Sequence, residues 1–214
     1  MKVLELFAGT CSFSKVAKSM GYDVYTIDND NQHDVDMIAD ILNMKINDLP
    51  KKWRNPDIIW ASPPCKTFSV ASISTHWTGG KRKYFPKTIE CEMGLKLLEK
   101  SIMLIKEMKP KYWIIENPVG VMRKLINEIF WNYEVYKVIR STVTYCQYGD
   151  IRMKPTDLWH NIDEWKPRKK CKKGDPCHES SPRGSKSGTQ GIKSTVVKSI
   201  VPEELCREIL ESIT

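Results

Sequence analysis

The sequence predicts an α/β domain on a mostly parallel sheet with a short loop-rich insertion near its C-terminus, and three observations lead there. Short apolar runs alternate with amphipathic stretches through the first 165 residues, the pattern of strands joined by helical crossovers. The run 112–115, Tyr-Trp-Ile-Ile, is entirely apolar, as expected of a strand covered on both faces. The chemically suggestive residues all fall just after predicted strands, the edge at which open parallel sheets bind ligands.

Taken in order, residues 2–6 read as a strand entering a turn at Gly9, and residues 12–20 as a helix stopped by Gly21. Residues 23–27 form a second strand that ends in an acidic cluster, and residues 57–60 a third that runs into Pro63-Pro64. The longest helical pattern is 88–108, with Ile89, Met93, Leu97, Ile102 and Ile105 on one face and Lys109-Pro110 closing it. Strand 112–115, a helix over 121–130 and an interrupted strand over 135–145 follow. From 166 to 193 Gly, Pro, Ser and Lys dominate and no period survives, before an amphipathic helix over 202–213. The expected division is a catalytic and cofactor-binding unit over 1–165, a basic recognition segment over 166–198, and a helix within 199–214 that packs back.

Lys and Arg number 34 against 26 Asp and Glu, a formal charge of +8. Between Lys166 and Lys198 there are ten basic and two acidic residues, which leaves 24 of each sign elsewhere. The excess is therefore local: a charge-balanced domain carries one anion-attracting segment. No apolar run approaches the ~18–20 residues of a membrane span, and the N-terminus lacks a signal-peptide pattern. The expectation is a cytoplasmic protein with no membrane partner. The seven cysteines are odd in number and scattered, so they are read as reduced thiols.

Three motifs carry chemistry. In Ser62-Pro63-Pro64-Cys65 two prolines place a cysteine on stiff backbone straight after a strand, which suits a nucleophile held in attack geometry; a structural cysteine beside a proline turn is the plainer reading. In Phe7-Ala8-Gly9-Thr10-Cys11 a strand runs into a glycine turn and a helix, and Asp28 lies at the distance where an acid takes ribose hydroxyls. One glycine is too few for a dinucleotide fingerprint, so a smaller adenosine cofactor fits better. In Glu116-Asn117-Pro118 an acid directly follows an apolar strand and needs a partner or a purpose.

Together these motifs resemble the cytosine-C5 DNA methyltransferase family, and Ala39-Asp40-Ile41, Tyr148-Gly149 and Lys198–Cys206 extend the resemblance over residues 1–160 and the last 17. The resemblance implies a Rossmann-like S-adenosylmethionine-dependent methyltransferase sheet. It implies methyl transfer to C5 of cytosine in DNA through a covalent Cys65–C6 adduct on a flipped base, with Glu116 stabilising the ring. Phe7, Ala8, Gly9, Thr10, Cys11, Asp28, Asp40 and Pro63 would line the cofactor, Asp28 at the ribose and Asp40 at the adenine amine. Enzymes of this kind are carried by phages and restriction-modification systems, which places the expected setting in a bacterial host or a phage-infected cell.

The chain also departs from the family. The last arginine of the family's Gln-x-Arg-x-Arg segment falls on Thr156, so Arg152 or Lys154 is expected to replace it at the base. The family's closing Gly-Asn-Ser motif is missing, to be completed by residues 187–190 or by a second subunit in a homodimer. Cys171, Cys177 and His178 lie close in sequence, with Cys146 or His160 as a fourth ligand, so a structural zinc would explain how a segment without a core holds shape; free thiols are the alternative. Residues 181–185, with Arg183, could cradle a phosphate. Substrates other than DNA, namely RNA or a free pyrimidine nucleotide, stay open, as does a non-catalytic nucleic-acid-binding module.

Overall fold

A computed structural model describes residues 1–31, 34–80, 83–172, 174–179, 192 and 194–214. Strands β1 (Lys2–Leu6), β2 (Asp23–Asp28), β3 (Met37–Ile38), β4 (Ile58–Ala61) and β7 (Tyr112–Pro118) run parallel. A hairpin of β5 (Trp77–Gly79) and β6 (Tyr84–Pro86) lies outside the main sheet. β8 (Ile139–Thr144) and β9 (Pro155–His160) complete an order β3-β2-β1-β4-β7-β9-β8, with β9 antiparallel to both neighbours. The helices are α1 (Ser12–Ser19), α2 (Ile73–His76), α3 (Ile89–Met108), α4 (Met122–Asn132), α5 (Thr195–Ser199) and α6 (Glu203–Glu211). Among the described residues no helix is long and apolar enough to cross a membrane.

Two cores explain the apolar strands. Ile59, Ala61, Trp113 and Ile115 face α3 and α4 through Leu98, Ile102, Ile105 and Ile126. Their sequence neighbours Ile58, Trp60 and Ile114 face α1 and α6 through Phe13, Ala17, Leu205 and Ile209. Side chains alternate across a strand, so a strand covered on both sides must be apolar at every position. Phe13 stacks on Trp60 with ring centroids 4.4 Å apart. Helix ends follow local chemistry: the Thr88 side chain accepts from Cys91 N–H at the start of α3, and Lys109 takes a left-handed φ of 49° before Pro110.

Several elements differ from the sequence expectation. The strand expected over 135–145 begins at Ile139, and β9 was not expected as a strand. Its pattern is hidden because Pro155 heads it and Thr156, Asp157 and His160 are polar yet at most 1% exposed. Asp157 can be buried because Arg123 and Thr142 meet it there: Arg123 Nη2 donates to Asp157 Oδ1 at 2.6 Å, and Thr142 Oγ1 does so at 2.7 Å. From 166 to 179 the described residues contain neither helix nor strand.

Candidate active site

Parallel pairing of β4 with β7 brings Ala61 beside Ile115, so the residues that follow, Ser62–Cys65 and Glu116–Pro118, meet at one edge. Asn117, fully buried, locks them: its Nδ2 donates to the Pro63 carbonyl at 2.8 Å. A second lock lies just beyond, where Val121 N–H donates to the Phe68 carbonyl at 2.8 Å and Ser69 bridges to Gly120. A Cβ on Gly120 would lie 1.9 Å from the Phe68 carbonyl oxygen, so this close approach requires glycine.

Of the seven cysteines Cys65 is the exposed one. Surrounding protein pushes its thiol pKa up, Glu116 pushes it further, and Lys154 pulls it down. Glu116 is 6% exposed and accepts a hydrogen bond from Tyr145 Oη at 2.9 Å. Burial, reinforced by Glu116, holds the Tyr145 hydroxyl well above its ordinary pKa, so it stays a donor at any working pH. The Lys154 ammonium lies 4.5 Å from the Tyr145 ring centre and donates to the Lys198 carbonyl at 2.9 Å.

The structure separates the two cations that sequence reasoning could not. Arg152 is 3% exposed, paired with Asp150, and donates to the carbonyls of Val197 and Ile200 at 2.8 and 3.0 Å. Its donors are engaged in tethering α5 and the residue that follows it. Lys154 is the cation of this segment whose charge reaches Cys65. Thr156 is fully buried in β9, opposite Pro118.

At the β1 and β2 ends, Asp28 is 9% exposed and its carboxylate accepts Gly9 N–H at 2.8 Å and Asp30 N–H at 2.9 Å. Each oxygen keeps a lone pair for a further donor. Phe7, Gly9 and Cys11 all have positive φ, of 57°, 47° and 54°, so the turn opens sharply between β1 and α1. Ala8 N–H is held by the Ile27 carbonyl, and Thr10 and Ser12 hydroxyls pair at 2.8 Å. Burial pushes the Cys11 thiol up to about 11, which makes it a neutral packing group. Asp40 is exposed; its two oxygens accept from Leu42 N–H and Asn43 Nδ2. An oriented strand-end carboxylate, an open glycine turn and an exposed second acid on one edge fit the hydroxyls and amine of an adenosine cofactor.

Sequence reasoning passed over three residues here. Glu5, 3% exposed, accepts Ser14 N–H at 2.8 Å and so anchors the start of α1; burial pushes its pKa up to about 7. An acid between Leu4 and Leu6 was a readable signal. Tyr145 and Gly120 carried none, because their roles arise from contacts between distant strands and loops.

Cys146, Cys171, Cys177 and His178 present ligand atoms that all lie within 4.8 Å of one another. His160 is not among them: it is buried against Ser141 with Nε2 3.0 Å from the hydroxyl, and burial pushes its pKa down to about 4. Residues 181–185 and 187–190, proposed for phosphate and cofactor contacts, lie outside the described residues. Lys169, Lys170 and Lys172 line a groove of about 470 Å³ with Arg123, Thr142 and Val119, the last of these close along β7's exit from Glu116. Arg168 faces the other way, bonded to Glu204 and Glu208 of α6 and stacked over Tyr148.

The sheet and its carboxyl edge define the class: a Rossmann-like methyltransferase fold. Solved structures with this fold include Entamoeba histolytica methyltransferase EhMeth (TM-score 0.52, 14% identity, 78% of this chain and 54% of that one). They also include Schizosaccharomyces pombe Dnmt2 methyltransferase (TM-score 0.54, 13% identity, 78% and 51%). This chain thus spans about half the length of those structures. The C-5 cytosine-specific DNA methylase family matches residues 1–149. A Frog virus 3 (isolate Goorha) protein named "Probable DNA (cytosine-5)-methyltransferase" is 34% identical over 227 residues, with 99% of each chain covered. The type II methyltransferase M.DdeI of Desulfomicrobium norvegicum is 26% identical over 170 residues, covering 70% of this chain and 37% of that one. The chain belongs to the C-5 cytosine-specific DNA methylase family.

Proposed function

We propose that this protein methylates C5 of cytosine in DNA with S-adenosylmethionine as donor, through a covalent bond between Cys65 Sγ and C6 of a base flipped out of the duplex. The observation that supports it most directly is the Asn117–Pro63 hydrogen bond of 2.8 Å, which holds the cysteine loop and the Glu116 strand as one unit.

Cytosine C5 is a poor nucleophile until a thiolate adds to C6 and pushes electrons into the ring. Cys65 supplies that thiolate. Because the Glu116 charge raises the Cys65 pKa, the thiol ionises more easily once Glu116 carries a proton. Glu116 then donates that proton toward N3 and neutralises the charge arriving in the ring. Tyr145 fixes Oε1 of Glu116 and leaves the other oxygen for the base. Lys154 favours the thiolate and is the cation available to the base's O2. Asp28, Asp40 and residues 7–11 hold the cofactor, which when bound supplies an electrophilic methyl group on sulfur. Once C5 carried a methyl group, its proton would pass to solvent water, the C5–C6 double bond would re-form as the Cys65 Sγ–C6 bond breaks and Cys65 leaves as thiolate, and Glu116 would recover the N3 proton. Flipping costs roughly a few kcal/mol, offset by phosphate contacts from Lys169, Lys170 and Lys172.

Tritium transfer from labelled S-adenosylmethionine to duplex DNA, an oligoribonucleotide and dCMP tests the substrate class, with incorporation expected in duplex DNA. 5-Fluorocytosine DNA is expected to form a stable adduct that Cys65→Ser abolishes. Absence of an adduct with the native chain refutes the covalent route.

A further inference from the structure

We propose that Cys146, Cys171, Cys177 and His178 bind one zinc ion in a closed four-ligand site that folds the basic segment onto the catalytic domain. The distances carry it. Cys171 Sγ lies 3.2 Å from His178 Nδ1, Cys177 Sγ 3.8 Å from the same nitrogen, and Cys146 Sγ 3.6 Å from Cys177 Sγ. A tetrahedral ion with bonds of about 2.3 Å to sulfur and about 2.0 Å to nitrogen has ligand-to-ligand edges of roughly 3.5–3.8 Å. A disulfide would instead need its sulfurs about 2.05 Å apart.

Ligand chemistry selects the metal. Three thiolates and an imidazole in a tetrahedron suit zinc, and four protein ligands leave no open position, so the site is structural and not catalytic. The surroundings are arranged for it. Cys146 comes from the 3-10 turn Tyr145–Tyr148 that also carries the tyrosine on Glu116. The other three ligands come from coil with no helix or strand among its described residues. Gln147 Nε2 donates to Cys177 Sγ at 3.1 Å, a contact that steadies a thiolate, and Cys171 N–H donates to Thr144 Oγ1 at 2.9 Å. Between the ligands, Lys172 and Asp175 close a turn, with Gly174 at φ +94°. Cys146 and Cys171 are 7% and 6% exposed, so the metal replaces the apolar core that Lys- and Pro-rich coil lacks.

Cys171 stands between Lys170 and Lys172, which line the groove beside Arg123. The ion therefore sets where those lysines stand. That consequence rests on the DNA-methylation reading, whereas metal binding itself does not.

The full-length protein, purified under reducing conditions, is analysed for metal by mass spectrometry, and the apo protein is titrated with cobalt(II). One zinc per chain is expected, with cobalt giving thiolate charge-transfer and tetrahedral d–d bands. Cys171→Ser and Cys177→Ser should lose the zinc and change those bands, whereas Cys65→Ser keeps the full complement while losing methyl transfer. Wild-type protein without stoichiometric zinc and without cobalt bands overturns the proposal. So does full retention of zinc by both ligand variants, or a Cys146–Cys177 disulfide found after alkylation. Zinc without methyl transfer leaves the metal site standing and refutes only the enzymatic reading.

Discussion

Tyr145→Phe isolates one hydrogen bond at the proposed reaction centre. The phenyl ring keeps the packing of a fully buried side chain and its place 4.5 Å from Lys154; only the hydroxyl that donates to Glu116 Oε1 at 2.9 Å is removed. A hydrogen bond to a charged group contributes about 1.5–3 kcal/mol. If that energy orients Glu116 in the transition state, kcat falls roughly 10- to 150-fold, since about 1.4 kcal/mol is one factor of ten. KM for DNA should stay within about twofold, because the tyrosine is a positioning residue that does not meet phosphate. Stability should fall by about 1–3 kcal/mol, because Glu116 keeps a buried oxygen with no donor. The assay is steady-state tritium transfer beside urea unfolding. A destabilised variant with wild-type kcat would refute the reasoning, since the hydrogen bond would then support only the fold.

Glu5→Gln should remove a pH dependence of folding. Burial raises the Glu5 pKa from 4.5 to about 7 in the folded chain, so the folded state binds more protons across that interval and stability falls as pH rises through it, by about 3 kcal/mol in all. Urea unfolding should show the wild-type curve dropping relative to the variant between those values, and parallel curves would contradict the assignment. Gly120→Ala should cost about 1–3 kcal/mol and change the rate of Cys65 alkylation, because the clash is with backbone and no rotamer relieves it; an unchanged thermal midpoint would show that the loop yields freely. Replacing Lys169, Lys170 and Lys172 by alanine should reduce the slope of log affinity for duplex DNA against log salt by up to about 3 while cofactor affinity holds. A proportional loss of cofactor affinity would undo the division between a neutral catalytic sheet and a basic grip.

Much of this molecule is legible one residue at a time. Tyr112–Ile115 announces a doubly covered strand and Lys109-Pro110 a helix end, because each depends on neighbours in sequence and on elementary packing. Cys65, Glu116 and the Gly9 turn are legible for the same reason: each lies at or just beyond the carboxyl end of a strand, and strand ends mark the ligand edge. What the tertiary structure alone decided is every pairing across the chain. β9 is hidden in sequence since its buried polar residues find partners mostly on other elements, Asp157 in Arg123 and Thr142 and His160 in Ser141. Arg152 and Lys154, indistinguishable as two nearby cations, part company only when Asp150 and the 197–200 backbone engage one of them and Cys65 feels the other. His160 and Cys146 were equal candidates as a fourth ligand until antiparallel pairing of β8 with β9 buried the imidazole against Ser141 and left the thiol beside Cys177. Local order writes itself into adjacent residues, whereas a hydrogen-bond partner or a ligand set is a relation between distant ones, and only the closed sheet brings them within reach.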